Sequence, residues 1–430
     1  MLVWAGLAFP DAATPPRRDV AVRVEGNRIV ELGSYADLRT RFPAAEVVGG
    51  AGLILLPAMI NAHDHGRAIG SVALGVADDL LEVWLPALSI QPALDPYLAA
   101  AYEGVRLLQS GVSVIAHSHI PRDWRRMDDE AGATLRGYRD AGIRVAFQPP
   151  MIDQHPLVYG DEGRFLAGLP PNARALAQRF MQPPPLSNDE YVGLCDTLFA
   201  TYHDAEQHRV HVQVNPAGGQ WCSDALITRS VAWARQHGTR VQMHMLETYY
   251  QMRYAHRRWG KTFIQHLEAI GALGPWLTLA HMVWIDLDDL PLLAERGVGI
   301  VHNPSSNLRL RSGIAPLAEM MRSGVELGVG LDGHGLDDDQ DYLRELRLAW
   351  TLSNRPGAEA PSVAARDVWR IGTQGGAAIT LGEQAPLGRL APGFLADLVL
   401  LDVQAAIYDQ QLEGEALRSM VLRFAARQHV

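Results

Sequence analysis

The chain has 430 residues, 48% of them apolar and 20% charged, an ordinary globular composition with room for a large barrel and a small accessory domain. Its formal net charge is −10 and its pI about 5.9, so no excess of basic charge neutralises phosphates, which argues against nucleic-acid partners and against docking on an anionic membrane. The two cysteines, Cys195 and Cys222, form no CxxC; a disulfide scaffold and a cysteine-rich zinc site are disfavoured, and a reducing cytoplasm is the expected location.

From the N-terminus, "MLVWAGLAFPDAATPPRRD" lacks a basic leader region and reads as a first strand rather than a signal peptide. "DVAVRVEGNRIVELG" (19–33) predicts a hairpin pivoting on Gly26-Asn27. "GRLAPGFLADLVLLD" (388–402) has the same character, so residues 1–56 and 383–430 are expected to form one composite β-sandwich domain around an inserted domain, 57–382. Within the insert one rhythm repeats, a short apolar strand followed by a helical pattern. The strands end at His65, His119, Pro150, Pro216, Leu246, Trp284, Pro304 and Gly333. Eight such units predict an α/β fold, a closed (β/α)₈ barrel of the TIM type. Residues 154–202, with the Pro-rich "MQPPPLSN", are expected to lie over the barrel mouth. No apolar run approaches the roughly 20 residues of a membrane helix.

The ends of these strands are polar. His63 and His65 close the first, His117 and His119 the second, His244 the fifth, His281 the sixth, His302 the seventh and Asp332 the eighth. In a barrel these ends share one rim, where active sites sit, and residues two apart on a strand face the same way. One such histidine is ordinarily a core or loop residue; close to half of the sixteen gathered at strand ends predicts a metal centre. Neutral imidazoles with a carboxylate suit one divalent ion, zinc first and iron(II) as the alternative.

"PAMINAHDHG", "HMLET", "LAHMVW", "VHNPSSNLRLRSGIAP", "GLDGHGLDDDQD" and the closing "GRLAPGFLADLVLLD" occur in that order. Together they resemble the amidohydrolase superfamily, in the branch of cyclic-amine deaminases and triazine hydrolases. The resemblance implies metal ligands at His63, His65, His244 and Asp332, a general acid/base at Glu247, and His281 holding the reacting water beside Asp332. It implies one ion only: two-metal relatives usually bridge theirs with a barrel lysine, whereas Lys261, the sole lysine, is expected in the helix after strand five.

Arg67, Trp84, Gln220 and Trp221 fall near the rim and are expected to line a substrate pocket, and His119 stands between a substrate contact and a place in a hydrogen-bond network. His302 stands between a structural role in the loops and a substrate contact, and His334 between a substrate contact and a contact to Asp332. Relatives acting on nucleosides carry a histidine after the strand-four proline; here that position is Ala217, which argues against an adenosine-like ring. "GVGLDG" (328–333) matches a dinucleotide fingerprint but precedes an acidic run, "HGLDDDQD", that would repel a pyrophosphate. The expected activity is a metal-dependent aminohydrolase that deaminates an electron-poor nitrogen heterocycle such as a pterin, purine, pyrimidine or triazine. Amide hydrolysis or displacement of another leaving group is the alternative, and a non-catalytic metal-stabilised binding protein is a third reading. The partner is a small molecule, with homo-oligomers open.

Overall fold

The structure, a computed structural model, describes residues 1–154, 158–182, 184, 186–204, 206–333, 335–403 and 412–430. The N-terminal segment forms β1 (Leu2–Ala8), β2 (Arg17–Glu25), β3 (Arg28–Ser34) and β4 (Val47–Pro57). Glu25 pairs with Arg28 across the predicted two-residue turn, where Gly26 adopts a left-handed φ of 59°. The last strand of the chain, Leu398–Leu401, pairs antiparallel with β4 and completes a five-stranded sheet built from both termini. One face of this sheet packs Val3, Val20, Val22 and Leu55 against Leu390 and Phe394, and the other packs Leu2 and Ala21 on Leu38 of the helix Tyr35–Arg41. The closing helix, Gly414–Phe424, instead docks on the barrel's outer helices Ala365–Arg370 and Tyr342–Ser353.

β4 runs through Ala58 into β5 (Met59–Asp64), the first of eight parallel barrel strands. The others are β6 (Val112–Ser118), β7 (Arg144–Gln148), β9 (Val210–Val212), β11 (Val241–Met245), β12 (Leu277–His281), β13 (Gly299–His302) and β14 (Glu326–Val329). β8 (Pro150–Met151) and β10 (Asn215–Pro216) extend β7 and β9 at the mouth. β14 pairs with β5, and a bridge from Val214 to Val241 closes the ring. All eight predicted strands are present because each is a short, doubly buried apolar run, which a parallel sheet demands.

The bottom of the barrel is plugged by the helix Gly376–Leu381. Its Ile379 packs on Ala62 and Val301, and the Ile379 and Thr380 carbonyls accept from Thr278 Oγ1 and Gln213 Nε2 at 2.8 and 2.6 Å. Lys261 lies in the turn between the helices Tyr249–Trp259 and Phe263–Ala269 rather than inside a helix, remote from the strand ends. No helix among the described residues is long and apolar enough to cross a membrane.

Candidate metal centre and active site

The strand ends bring five of the expected residues into one cluster. His63, His244, His281 and Asp332 offer four donor atoms all within 4.8 Å of one another. His65 joins them, its Nε2 3.1 Å from Asp332 Oδ1 and 3.2 Å from His244 Nε2. The backbone is contorted where it leaves the strands: His281 and Asp332 adopt φ of 78° and 66°, values that cost a side-chain-bearing residue energy and that concentrate at functional sites. Gly330 makes the last turn feasible, since a Cβ there would lie 2.6 Å from both Asn303 Oδ1 and the His63 carbonyl.

The hydrogen bonds of the imidazoles determine what the cluster can hold. His65 Nδ1 donates to the Ser118 carbonyl at 2.8 Å and His244 Nδ1 to the Ala217 carbonyl at 2.6 Å. His63 Nδ1 donates to Gln242 Oε1 at 2.6 Å, an oxygen identified as such because Gln242 Nε2 donates to the Ala62 carbonyl. In each ring the proton is spent on Nδ1, so the Nε2 lone pair faces the cluster. Two lone pairs, His65 and His244 Nε2, thus oppose each other at 3.2 Å, and His63 Nε2 stands buried without a hydrogen bond although Asp332 Oδ1 is 3.0 Å away. Lone pairs and a carboxylate converging without hydrogens between them are stable around a cation. This donor set fits one divalent ion of borderline character.

Without an ion, burial lowers the proton affinity of His63, but Asp332 outweighs it and raises that affinity, so the site holds a cation there, a proton or a metal. Burial, then the neighbouring imidazoles, hold His244 well below the usual histidine value, and burial brings His281 down to about 4. Burial works against the Asp332 carboxylate, but His281, His63 and His65 outweigh it and keep the group ionised far below the ordinary range. Glu247 is the opposite case: burial, then the charges of Asp332 and Glu82, push its carboxyl well up. Its Oε2 lies 3.7 Å from His281 Nε2. Two neighbouring carboxyls with diverging affinities for protons are the pattern of a ligand beside an acid/base.

The cluster floors a cavity of about 340 Å³. Arg67, Trp84, His119 and Trp221 line it, as does Ala217, and Tyr159 and Phe180 of the inserted segment enclose it from above. Gln220 departs from the expected lining, and His302 takes the structural side of its two readings. Both are buried and neither reaches the cavity wall. Rim position in the sequence does not reveal which way a loop side chain turns, and alternate strands of a barrel fill its interior at different levels. His334 lies outside the described residues. Asp64 faces away and accepts from Asn61 Nδ2 and the Gly66 amide. Sequence reasoning missed Gln242 and Asn215. Gln242 stands two before His244 in an apolar strand, on the same face, and that spacing was the available signal. Asn215 lines the cavity with Oδ1 buried and unpartnered while Nδ2 donates to Ser118 Oγ.

The sequence pattern of the Amidohydrolase family matches residues 54–422. The chain belongs to the amidohydrolase family. A short stretch of this amidohydrolase, residues 21–45, also matches the Imidazolonepropionase-like composite domain of bacteria. It is 30% identical over 390 residues to the 5-methylthioadenosine/S-adenosylhomocysteine deaminase of Thermococcus kodakarensis, covering 89% of this chain and 80% of that one. An adenosine deaminase from Xanthomonas campestris with bound zinc is 27% identical and superposes with a TM-score of 0.80, over 100% of this chain and 90% of the other. The atrazine chlorohydrolase of Arthrobacter aurescens TC1, 22% identical, shares the fold with a TM-score of 0.81 over 98% and 91% of the two chains.

Proposed function

We propose that this amidohydrolase is a mononuclear zinc aminohydrolase that removes an exocyclic amino group from an electron-poor nitrogen heterocycle and releases ammonia. The observation that carries the reading is the set of Nε2 lone pairs aimed at one carboxylate, with the buried Glu247 beside them, its carboxyl pushed well up by burial and by the charges of Asp332 and Glu82. His63, His65, His244 and Asp332 hold the ion. When bound, it supplies the Lewis acidity that makes water nucleophilic at neutral pH. Asp332 accepts a hydrogen bond from that water and His281 fixes its orientation toward the amine-bearing carbon. Glu247 would give its proton to the ring nitrogen as the C–O bond forms, take one from the water and pass it to the amino group as the C–N bond breaks, and regain the last hydroxyl proton as the ring carbonyl forms and ammonia leaves; such positioned transfer is worth about 10²–10⁴-fold. Trp84 and Trp221 supply flat apolar faces for the ring. The deaminase names of the relatives favour ammonia release over amide hydrolysis.

Those relatives are named for adenosine-type substrates. In this chain the wall beside His244 presents Ala217 instead of a polar side chain, and Asn215 offers the nearby free amide atom. The ring is therefore held differently. An ammonia-release screen of the zinc-loaded protein over pterins, purines, pyrimidines and triazines tests the proposal. Release from one of these classes is expected; hydrolysis of simple amides with no release from any amino-heterocycle would move the assignment to the alternative.

A further inference from the structure

We propose that the substrate heterocycle carries a carboxylate substituent and that Arg67 receives it, an inference that rests on the aminohydrolase reading. Arg67 stands where two cavities meet. It lines the metal-floored cavity and a second one of about 440 Å³ that reaches between the helix Pro96–Leu108 and the end of β6. Its guanidinium lies 4.8 Å from the centroid of the Trp84 ring. Among the described residues, no carboxylate is within ion-pair distance of it. The other arginine of the main cavity, Arg309, is held by Asp78 and Asp338.

The chain makes room for this cation beside the reaction centre. Gly333 directly follows Asp332, and a Cβ there would meet Arg67 Nε at 2.8 Å and Cδ at 3.0 Å. Trp84 Nε1 is buried without a partner next to it, a second donor with nothing to donate to. Of the acidic groups facing these cavities, Glu130 accepts from the Arg122 and Asp123 amides, and Glu82 accepts from Thr248 Oγ1 through one oxygen while its Oε2 is buried without a partner. Arg122, which lines the second cavity, spends its guanidinium on the Gln91 and Pro92 carbonyls. Asp332 and Asp64 act on Arg67 through space, but neither reaches ion-pair distance, and burial, the larger effect, disfavours its charge; an anion brought against it would offset that cost. A carboxylate matches one planar guanidinium in charge and geometry, whereas a phosphate monoester brings two charges to it.

Matched pairs test this: pterin with pterin-6-carboxylate, cytosine with cytosine-5-carboxylate, and adenosine with adenosine-5′-carboxylate, with adenosine 5′-monophosphate as the phosphate arm. In ammonia release by the zinc-loaded protein, a carboxylated member should exceed its neutral partner in kcat/KM by about tenfold or more, the scale of one charge-assisted pair. Arg67→Met should bring that ratio to one and Arg67→Lys should restore part of it. Because the arginine is unpaired, Arg67→Met should also keep or raise the thermal midpoint. A wild-type ratio near one, a ratio that survives Arg67→Met, or a preference for the phosphate overturns the proposal. Binding of the same pairs to zinc-loaded Glu247→Gln separates the two readings. Tighter, Arg67-dependent binding of carboxylates with no ammonia release by the wild type retires the aminohydrolase reading and keeps Arg67. Equal binding of both members, or none, retires Arg67.

Discussion

At the scale of single residues, the metal site is defined by which ring nitrogen carries the proton. His63, His65 and His244 each spend Nδ1–H on an oxygen supplied by a neighbouring strand or loop, and only then does Nε2 become a ligand. Gln242 is the one of these partners that is a side chain, and it is pinned from its other end by the Ala62 carbonyl. Gln242→Leu leaves the His63 ring without its acceptor. The expected loss of metal affinity is about 10–100-fold, measured by competition with a chelating dye. Unchanged affinity would mean that packing alone orients His63. The histidines were legible in the sequence because imidazoles at the ends of apolar strands are conspicuous. Their orienters were not, because Gln242 and Ser118 become neighbours of His63 and His65 only when the barrel closes.

At the scale of elements, a strand that ends in a site residue must turn the chain away at once. The left-handed backbone at His281 and Asp332 and the missing Cβ at Gly330 are the local consequences. The glycines of "GVGLDG" thus serve close packing, Gly328 against Ile379, Gly330 against Asn303 and the His63 carbonyl, and Gly333 against Arg67, consistent with rejecting the dinucleotide reading. The turn after β13 is tied down by Glu345, whose carboxylate accepts from the backbone amide and hydroxyl of Ser305 at the start of the helix Pro304–Arg309. Burial pushes the Glu345 carboxyl up to about 8. Its folded-state affinity for a proton exceeds that of the unfolded chain, so its favourable contribution is complete below pH about 4.5 and is lost as pH rises through about 8. Urea unfolding at pH 5, 6.5 and 8 should show stability falling over that window in the wild type. Glu345→Gln, which cannot ionise, should flatten that part of the slope; an unchanged slope would contradict the assignment. Eight strands were readable from apolar runs alone. Gln220 was misplaced because strand and loop positions fix a residue's height along the barrel better than its direction.

At the scale of the molecule, the fold confines chemistry to one end. The terminal sheet leads into the barrel through β4 and β5, the helix Gly376–Leu381 seals the bottom, and the inserted segment covers the top with Tyr159 and Phe180. Both termini of the chain were expected to meet because their sequences share a strand-rich character, and β4 pairing with the strand Leu398–Leu401 is how they do so. The cover over the cavity was legible only as an insertion, since Pro-rich loops carry no periodicity from which contacts follow. Three of the eight strands bring the candidate ligands, so the ion would tie β5, β11 and the end of β14 together. Stripping it with a chelator should lower the thermal midpoint by several degrees, and zinc at about 100 times its Kd should restore about 2.7 kcal/mol. An unchanged midpoint would mean that the ligands are held in place without it.

The central claim joins an ion held by imidazoles to a proton moved by Glu247. Its most direct test is the rate of ammonia release by Glu247→Gln carrying one zinc per chain, compared with the wild type on the substrate found by the screen. The account predicts full metal content and a rate reduced by about 10²-fold or more. Wild-type turnover by that variant would contradict it.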